Sequence, residues 1–500
     1  MALYLGAMAA TSAATLKILK PSLPPSLGNP FTATGQPSIG IWSAIYDGLT
    51  RIGETGALEP GLAVAWRSVD PTTWQFDLRP GVLFHSGQRF DAETAVAVLE
   101  FLRGPVGRTQ LVAGELANVA SVRALAPDRI EVKTLTPDAI LPRRISVVAM
   151  VEPRLLGGTD FAAALTRETS GTGPFRLMRW GGDGSATQLE KFPPSWRWSL
   201  PEAGNLDRIE MIIAPEIAAR MQAFAAGEAD VIESPDPDGE AESAAATTKT
   251  VVVPTASVLA IALRNFGPVP EPLKDRRVRQ ALNYAIDRDA ITSTIYGGRT
   301  SPASQGAVPG VVGFNPELTP YEFNPEMARQ LLSDAGYAGG FAFDIEVFVG
   351  MNGPDAQAFQ QLAQDLAAVG VRATVRPIPY PSWLSKYAGG QWGSVGAFIM
   401  SWDNNAYYDA IRPIRVYSCA KVNPFFCDEA MMPRIAATDG EFDPERRAGM
   451  LRDLMAEFRD LAPAIWIAPI ATVFAMRPEV SNFTLRQGNV VFEKLRIAGP

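Results

Sequence analysis

The chain has 500 residues, 47% of them hydrophobic and 20% charged, with a formal net charge of −8. That length is too great for one hydrophobic core and predicts about three folding units. The composition excludes global disorder, and an acidic balance without any long Lys/Arg run excludes a nucleic-acid-binding face.

The first sixteen residues, Met1 to Leu16, carry no charge and are rich in Ala, Leu and Met. Such a stretch is too short to span a bilayer, and Ser12-Ala13-Ala14 resembles a signal-peptidase site. Residues 1–14 therefore read as a signal-peptide remnant without its basic start, or else as a plain apolar N-terminus. No later stretch has the length and apolarity of a membrane span.

Thr15 to Leu19 reads as a strand and Ile39 to Asp47 as a helix stopped by Gly48. Thr73 to Leu78 and Val82 to Phe84 read as strands around the Arg79-Pro80-Gly81 turn. Asp91 caps a helix over Ala92 to Leu102. Val122 to Leu125 with Arg129 to Lys133, and Phe175 to Trp180 with Thr187 to Phe192, read as hairpins. Arg208 to Ile213, Asp230 to Glu233 and Val258 to Leu263 read as strands, with a helix over Pro215 to Gly227. In the second half, helices are expected at Asp275 to Asp287, Pro325 to Gly336, Asp355 to Val369 and Pro444 to Asp460. Strands are expected at Phe343 to Phe348, Arg372 to Pro377, Ala397 to Trp402, Ile465 to Ala468 and Val491 to Leu495. The alternation defines an α/β protein with two sheet-plus-helix halves. The Pro/Gly-rich segment Arg264 to Pro272 reads as one crossing between them, and Ala468 to Met476 as the other.

Much catalytic chemistry is excluded. The single histidine, His85, rules out multi-His zinc sites and reads as a structural residue at a turn. No Lys follows a Gly, so there is no phosphate loop, and no GxSxG elbow is present. The acidic cluster from Glu233 to Glu242 fails the EF-hand spacing and reads as a solvated loop. Cys419 and Cys427 are too far apart for a CxxC pair and read as a disulfide closing a short loop, which requires an oxidising compartment.

Several motifs then appear in order. They are Tyr46-Asp47-Gly48-Leu49-Thr50, Leu58-Glu59-Pro60-Gly61-Leu62-Ala63, and the run Trp74 to Gly87 with Leu78-Arg79-Pro80-Gly81-Val82 and Phe84-His85. Gly171-Thr172-Gly173-Pro174-Phe175, Ala226-Gly227-Glu228-Ala229-Asp230 and Pro272 to Arg288 follow. Together they resemble the family-5 extracellular solute-binding proteins of ABC importers, the oligopeptide/dipeptide/nickel group. The resemblance implies a periplasmic-binding-protein-like, type II (cluster C) two-lobe fold with an inserted third subdomain. Lobe 1 would comprise 15–48, 170–265 and 475–500, the insertion 49–169, and lobe 2 266–474. It further implies a periplasmic, monomeric, non-enzymatic receptor that needs no cofactor. Such a receptor closes on a short peptide or amino-acid conjugate and delivers it to a permease with separate ATPase subunits. An opine, sugar conjugate or metal chelate, or a chemosensory role, is the alternative.

In peptide-binding members of that family an Asp after a Trp pairs with the ligand's ammonium. The matching stretch here nominates Trp402, Asp403, Asn404, Asn405 and Tyr408, with Asp409 competing with Asp403 for that role. Arg412 and Arg415 could meet a carboxylate. Arg264, Asn265 and Phe266 at the crossing, and Trp42 with the loop from Ser22 to Asn29, are further candidate contacts, whereas Trp383 and Tyr387 read as packing.

Overall fold

The computed structural model describes residues 13–24, 26–33, 39–182, 185–233, 248–348, 355–486 and 488–498. Residues 1–12 of the expected signal-peptide remnant, and 234–242 of the acidic cluster, lie outside them.

One mixed sheet runs the length of the molecule. Its spatial order is Val371–Pro377, Phe341–Val347, Ala397–Ile399, Lys249–Leu263, Ala464–Met476, Val231–Glu233, Thr15–Lys20, Arg208–Ile213, Thr187–Lys191 and Phe175–Arg179. Thr15–Lys20 lies parallel to both its neighbours, and its Leu16, Ile18 and Leu19 are buried. Phe341–Val347 lies parallel to Val371–Pro377, with the helix Asp355–Ala368 as the crossover between them. Such strands are covered on both faces, which is why they read as nearly continuous apolar runs.

Among the described residues two large hydrophobic cores divide the sheet, beside a small cluster of Leu19, Phe224, Ala229, Ile232 and Ala475. The first gathers Leu16, Ile18, Phe175, Ile209, Phe474 and Met476, and the second gathers Ala256 to Leu263, Val278, Ile345, Phe359 and Ala464 to Ala468. Lys249–Leu263 and Ala464–Met476 pass from one core to the other as an antiparallel pair, from Lys249↔Met476 to Ala262↔Ala464. Only the second-core portion of each strand is legible in the sequence, because Pro254 and Pro469 punctuate the pattern. Those prolines sit at the passage itself, where the register slips between Pro254 and Val258. A proline has no N–H to give the ladder, and a bulge bends the strand, so the pairing is weakest where the lobes join.

This placement corrects the expected crossing at Arg264 to Pro272. Arg264 is buried inside the second lobe, where its guanidinium donates to the Gly393 carbonyl at 2.9 Å and the Val395 carbonyl at 2.5 Å. The chain has already crossed near Pro254, so residues 256–263 belong with the second core rather than the first.

A separate four-stranded antiparallel sheet, ordered Ala63–Asp70, Thr73–Leu78, Arg129–Thr134, Val119–Ala126, packs on the first core with the helix Ala92–Arg103. That helix begins at a capping box: Asp91 accepts from the Thr94 amide while the Thr94 hydroxyl takes the Asp91 amide. Two expected strands are absent. Val82 to Phe84 forms only an isolated bridge at Leu83, and Val491 to Leu495 is a 3-10 turn at Phe492–Lys494.

His85 holds the turn expected of it. Its ring nitrogens lie 3.1 Å from the Gly173 carbonyl and 3.4 Å from the Gly171 amide, and Phe192 packs edge-on. Burial pushes the imidazole down to about 4, against upward pulls from the Gly173 carbonyl, Asp47 and Glu152. The folded protein thus binds the proton more weakly than the unfolded chain. The neutral ring's contribution is complete above about pH 6.5 and is lost as the pH falls toward 4, amounting to about 3 kcal/mol. Urea titrations from pH 7 to 4 should show a steeper loss for the natural chain than for His85→Gln. Parallel curves would contradict the buried neutral histidine.

Candidate functional site

After Ala397–Ile399 the chain re-enters the sheet for two residues, Trp402–Asp403, opposite Val258 and Ser257. This sets Asp403 beside the proline-interrupted passage between the lobes. Asp403 Oδ1 accepts from Ser257 Oγ at 2.9 Å, Asn405 N at 3.0 Å and Asn405 Nδ2 at 2.9 Å. Oδ2 faces Arg412 Nη1 at 3.3 Å, and the side chain keeps 25% of its surface exposed. One carboxylate edge is therefore fixed by the loop, and the other meets Arg412 and is partly exposed.

The neighbouring candidates separate sharply. Trp402 is fully buried against Tyr417, Phe458 and Trp466. A side chain at Gly306 would come within 1.9 Å of its ring, so only glycine fits there. Asn404 is also fully buried, donating to the Ala256 and Gly306 carbonyls at 3.0 and 2.9 Å. Asn405 holds Ser257 and the Ala256 amide. Asp409 has no exposed surface: Arg447 grips it at 2.5 and 3.1 Å, and it accepts from the Ile411 amide. Trp402, Asn404 and Asp409 thus build the loop, and of the two aspartates Asp403 is the one that keeps exposed surface.

The opposite wall comes from the first lobe. The 3-10 helix Leu111–Leu116 presents Glu115, whose carboxylate lies 3.9 Å from Arg412 Nε. Burial raises the Glu115 carboxyl, while Arg412, Arg144 and Arg415 pull it down. Arg412 also lies 5.9 Å from the Tyr407 ring centre. Burial lifts the Tyr387 hydroxyl to about 12, with smaller influences from Arg412 and Glu115. Asp403, Arg412 and Glu115 thus form a charged row spanning the cleft.

Further contacts close the seam. Arg143 donates to the Gly56 carbonyl at 3.1 Å and to the Tyr407 carbonyl at 2.6 Å. Gly56 has φ +81, and a Cβ there would meet the Tyr408 ring at 2.4 Å, so this glycine admits Tyr408 of the other lobe. Arg144 bridges Asp138 at 3.2 Å and Asp439 at 2.9 Å, and Arg415 also pairs with Asp439. Trp74 stacks on Phe442 at 6.1 Å.

The remaining candidates lie elsewhere. Asn265 clamps Cys427 by two hydrogen bonds of 2.9 and 3.0 Å, Phe266 is about half exposed, and Arg264 is part of the second core. Trp42 is buried, donates to the Leu27 carbonyl at 2.6 Å and lines a cavity inside the first lobe. Trp383 packs as expected, stacked on Tyr387 at 5.2 Å. Cys419 and Cys427 form a disulfide, and Lys421 within that loop lies 4.4 Å from the Tyr387 ring centre.

The two-lobe α/β fold thus carries two paired linking strands and a charged row where the lobes meet. The chain belongs to the bacterial extracellular solute-binding proteins of family 5, whose model matches residues 57–423. It is 27% identical over 351 residues to the glutathione-binding protein GsiB of Pectobacterium atrosepticum, covering 69% of this chain and 66% of that protein, just under two thirds of its length. It is 25% identical over 475 residues to the dipeptide-binding protein of Escherichia coli, covering 87% and 85%. Among solved structures, the ABC transporter-associated periplasmic binding protein DppA of Helicobacter pylori, in complex with the peptide STSA, has the same fold. Its TM-score is 0.82 at 20% identity, over 97% of this chain and 98% of that one. None of the described helices is long and apolar enough to cross a membrane.

Proposed function

We propose that this protein is the periplasmic receptor of an ABC-type importer. As a monomer, it closes on a short peptide or amino-acid conjugate and hands it to a permease whose ATPase subunits supply the energy. The observation that carries this reading is the row Asp403–Arg412–Glu115, assembled from both lobes beside the linking strands. Two carboxylates flanking one guanidinium suit a solute with an ammonium and a carboxylate. The ammonium goes to Asp403 and Glu115, and the carboxylate to Arg412. Both walls engage the solute only when the lobes meet, so its differential affinity shifts the population to the closed form, which the permease then recognises. The relatives that bind glutathione and dipeptides support this ligand class.

Thermal denaturation with reduced glutathione and a panel of dipeptides tests the reading. A true ligand at ten times its Kd stabilises the protein by about 1.4 kcal/mol. No shift with any of them, or chemical turnover of one that shifts, would contradict it.

A further inference from the structure

Behind Trp42 the first lobe holds a second charged cavity that the cleft does not use. Arg51, Arg197 and Arg486 line both a cavity of about 380 Å³ and an adjoining one of about 100 Å³. Arg79 lies near them, 4.2 Å from the Trp196 ring centre. Three carboxylates answer these four guanidinium groups. Asp47 lies 3.5 Å from Arg197 and accepts from Thr172 and Trp196. Glu493 accepts from Arg197 Nε at 2.9 Å, and Glu59 pairs with Arg51 at 3.0 Å. At the mouth, Lys494 holds Glu54 and Glu202 at 2.8 and 3.1 Å.

Arg486 is the group left over. Its side chain is 13% exposed, and it reaches Glu493 only at 3.6 Å, through the oxygen that Arg197 already takes. Among the described residues it makes no hydrogen bond. Arg51 Nε and Nη1 are buried without an acceptor. A buried donor left unmet is costly, so a cavity wall carrying two of them favours an occupant that accepts hydrogen bonds. Burial and the nearby Arg197 push Arg486 down to about 10, so the group is still charged at neutral pH.

We propose that this cavity binds a small oxyanion, a carboxylate or phosphate group, held between Arg486 and Arg51. Guanidinium forks match both groups in a bidentate geometry. The carboxylates at the mouth disfavour highly charged polyanions and leave room for a small ligand or one end of a longer one.

The test is isothermal titration of the full chain with inorganic phosphate and, separately, succinate, at constant ionic strength in chloride. Saturable binding of either, with Kd of about 1 mM or tighter, is expected. Phosphate alone or succinate alone identifies which oxyanion is taken. Arg486→Gln should weaken it at least about tenfold while keeping the fold, because it relieves repulsion from Arg197 and Arg51. Arg51→Gln is the second variant and should act in the same direction. Asp403→Asn should leave this binding intact, which separates it from the cleft. The absence of a saturable signal would mean that water fills the cavity. That result, undiminished binding in both arginine variants, or loss of binding in Asp403→Asn would overturn the proposal.

Discussion

Asp403→Asn should weaken solute binding by about 2–5 kcal/mol, or roughly thirtyfold or more in Kd, with little loss of stability. The amide oxygen can still accept from Ser257 and Asn405, so the loop geometry survives. What disappears is the negative charge on the edge facing Arg412, the edge available to an ammonium group. Calorimetry with the best ligand from the dipeptide and glutathione panel, beside urea denaturation, reads both quantities. Equal affinity in the variant would remove Asp403 from the site. A collapse in stability would make it a structural residue.

Asp409→Ala should do the opposite and destabilise the fold by about 3–5 kcal/mol. Its carboxylate is fully buried and is the partner of Arg447 Nη1 and Nη2. Removing it strands a guanidinium that is itself only 7% exposed. Breaking one side of a buried pair costs far more than the pair's net contribution, because the remaining charge stays desolvated. Urea titration gives the loss directly, and a change below about 1 kcal/mol would mean that water reaches Arg447. The two aspartates, six residues apart in one loop, should therefore separate cleanly: one acts on affinity and the other on stability.

Much of the fold is legible in the sequence, and specific parts of the site are not. The helix start after Asp91 was legible because a capping side chain acts within three residues, and the helices beginning at Arg276, Pro325 and Pro444 start within one residue of their expected positions. The ordered motifs pointed to the family, and the family to the loop around Asp403. They could not separate Asp403 from Asp409. Both follow the same tryptophan, and what distinguishes them is Arg447, on the distant helix Pro444–Leu461. The linking strands were read short because a proline signals a strand end locally, yet Pro254 and Pro469 are tolerated at a bulge. Glu115 carried no signal at all. It sits on an unremarked 3-10 turn and meets Arg412 only because two lobes come together. The Arg51–Arg486 cavity was invisible for the same reason, since its walls come from four separated stretches of chain.

Mass spectrometry of the natively purified protein reads the bound solute itself. One co-purifying small molecule carrying an ammonium and a carboxylate is expected, present in the natural chain and absent from folded Asp403→Asn. A natural chain that carries no solute and binds neither dipeptides nor glutathione would contradict it, as would an Asp403→Asn variant that retains the same solute in full.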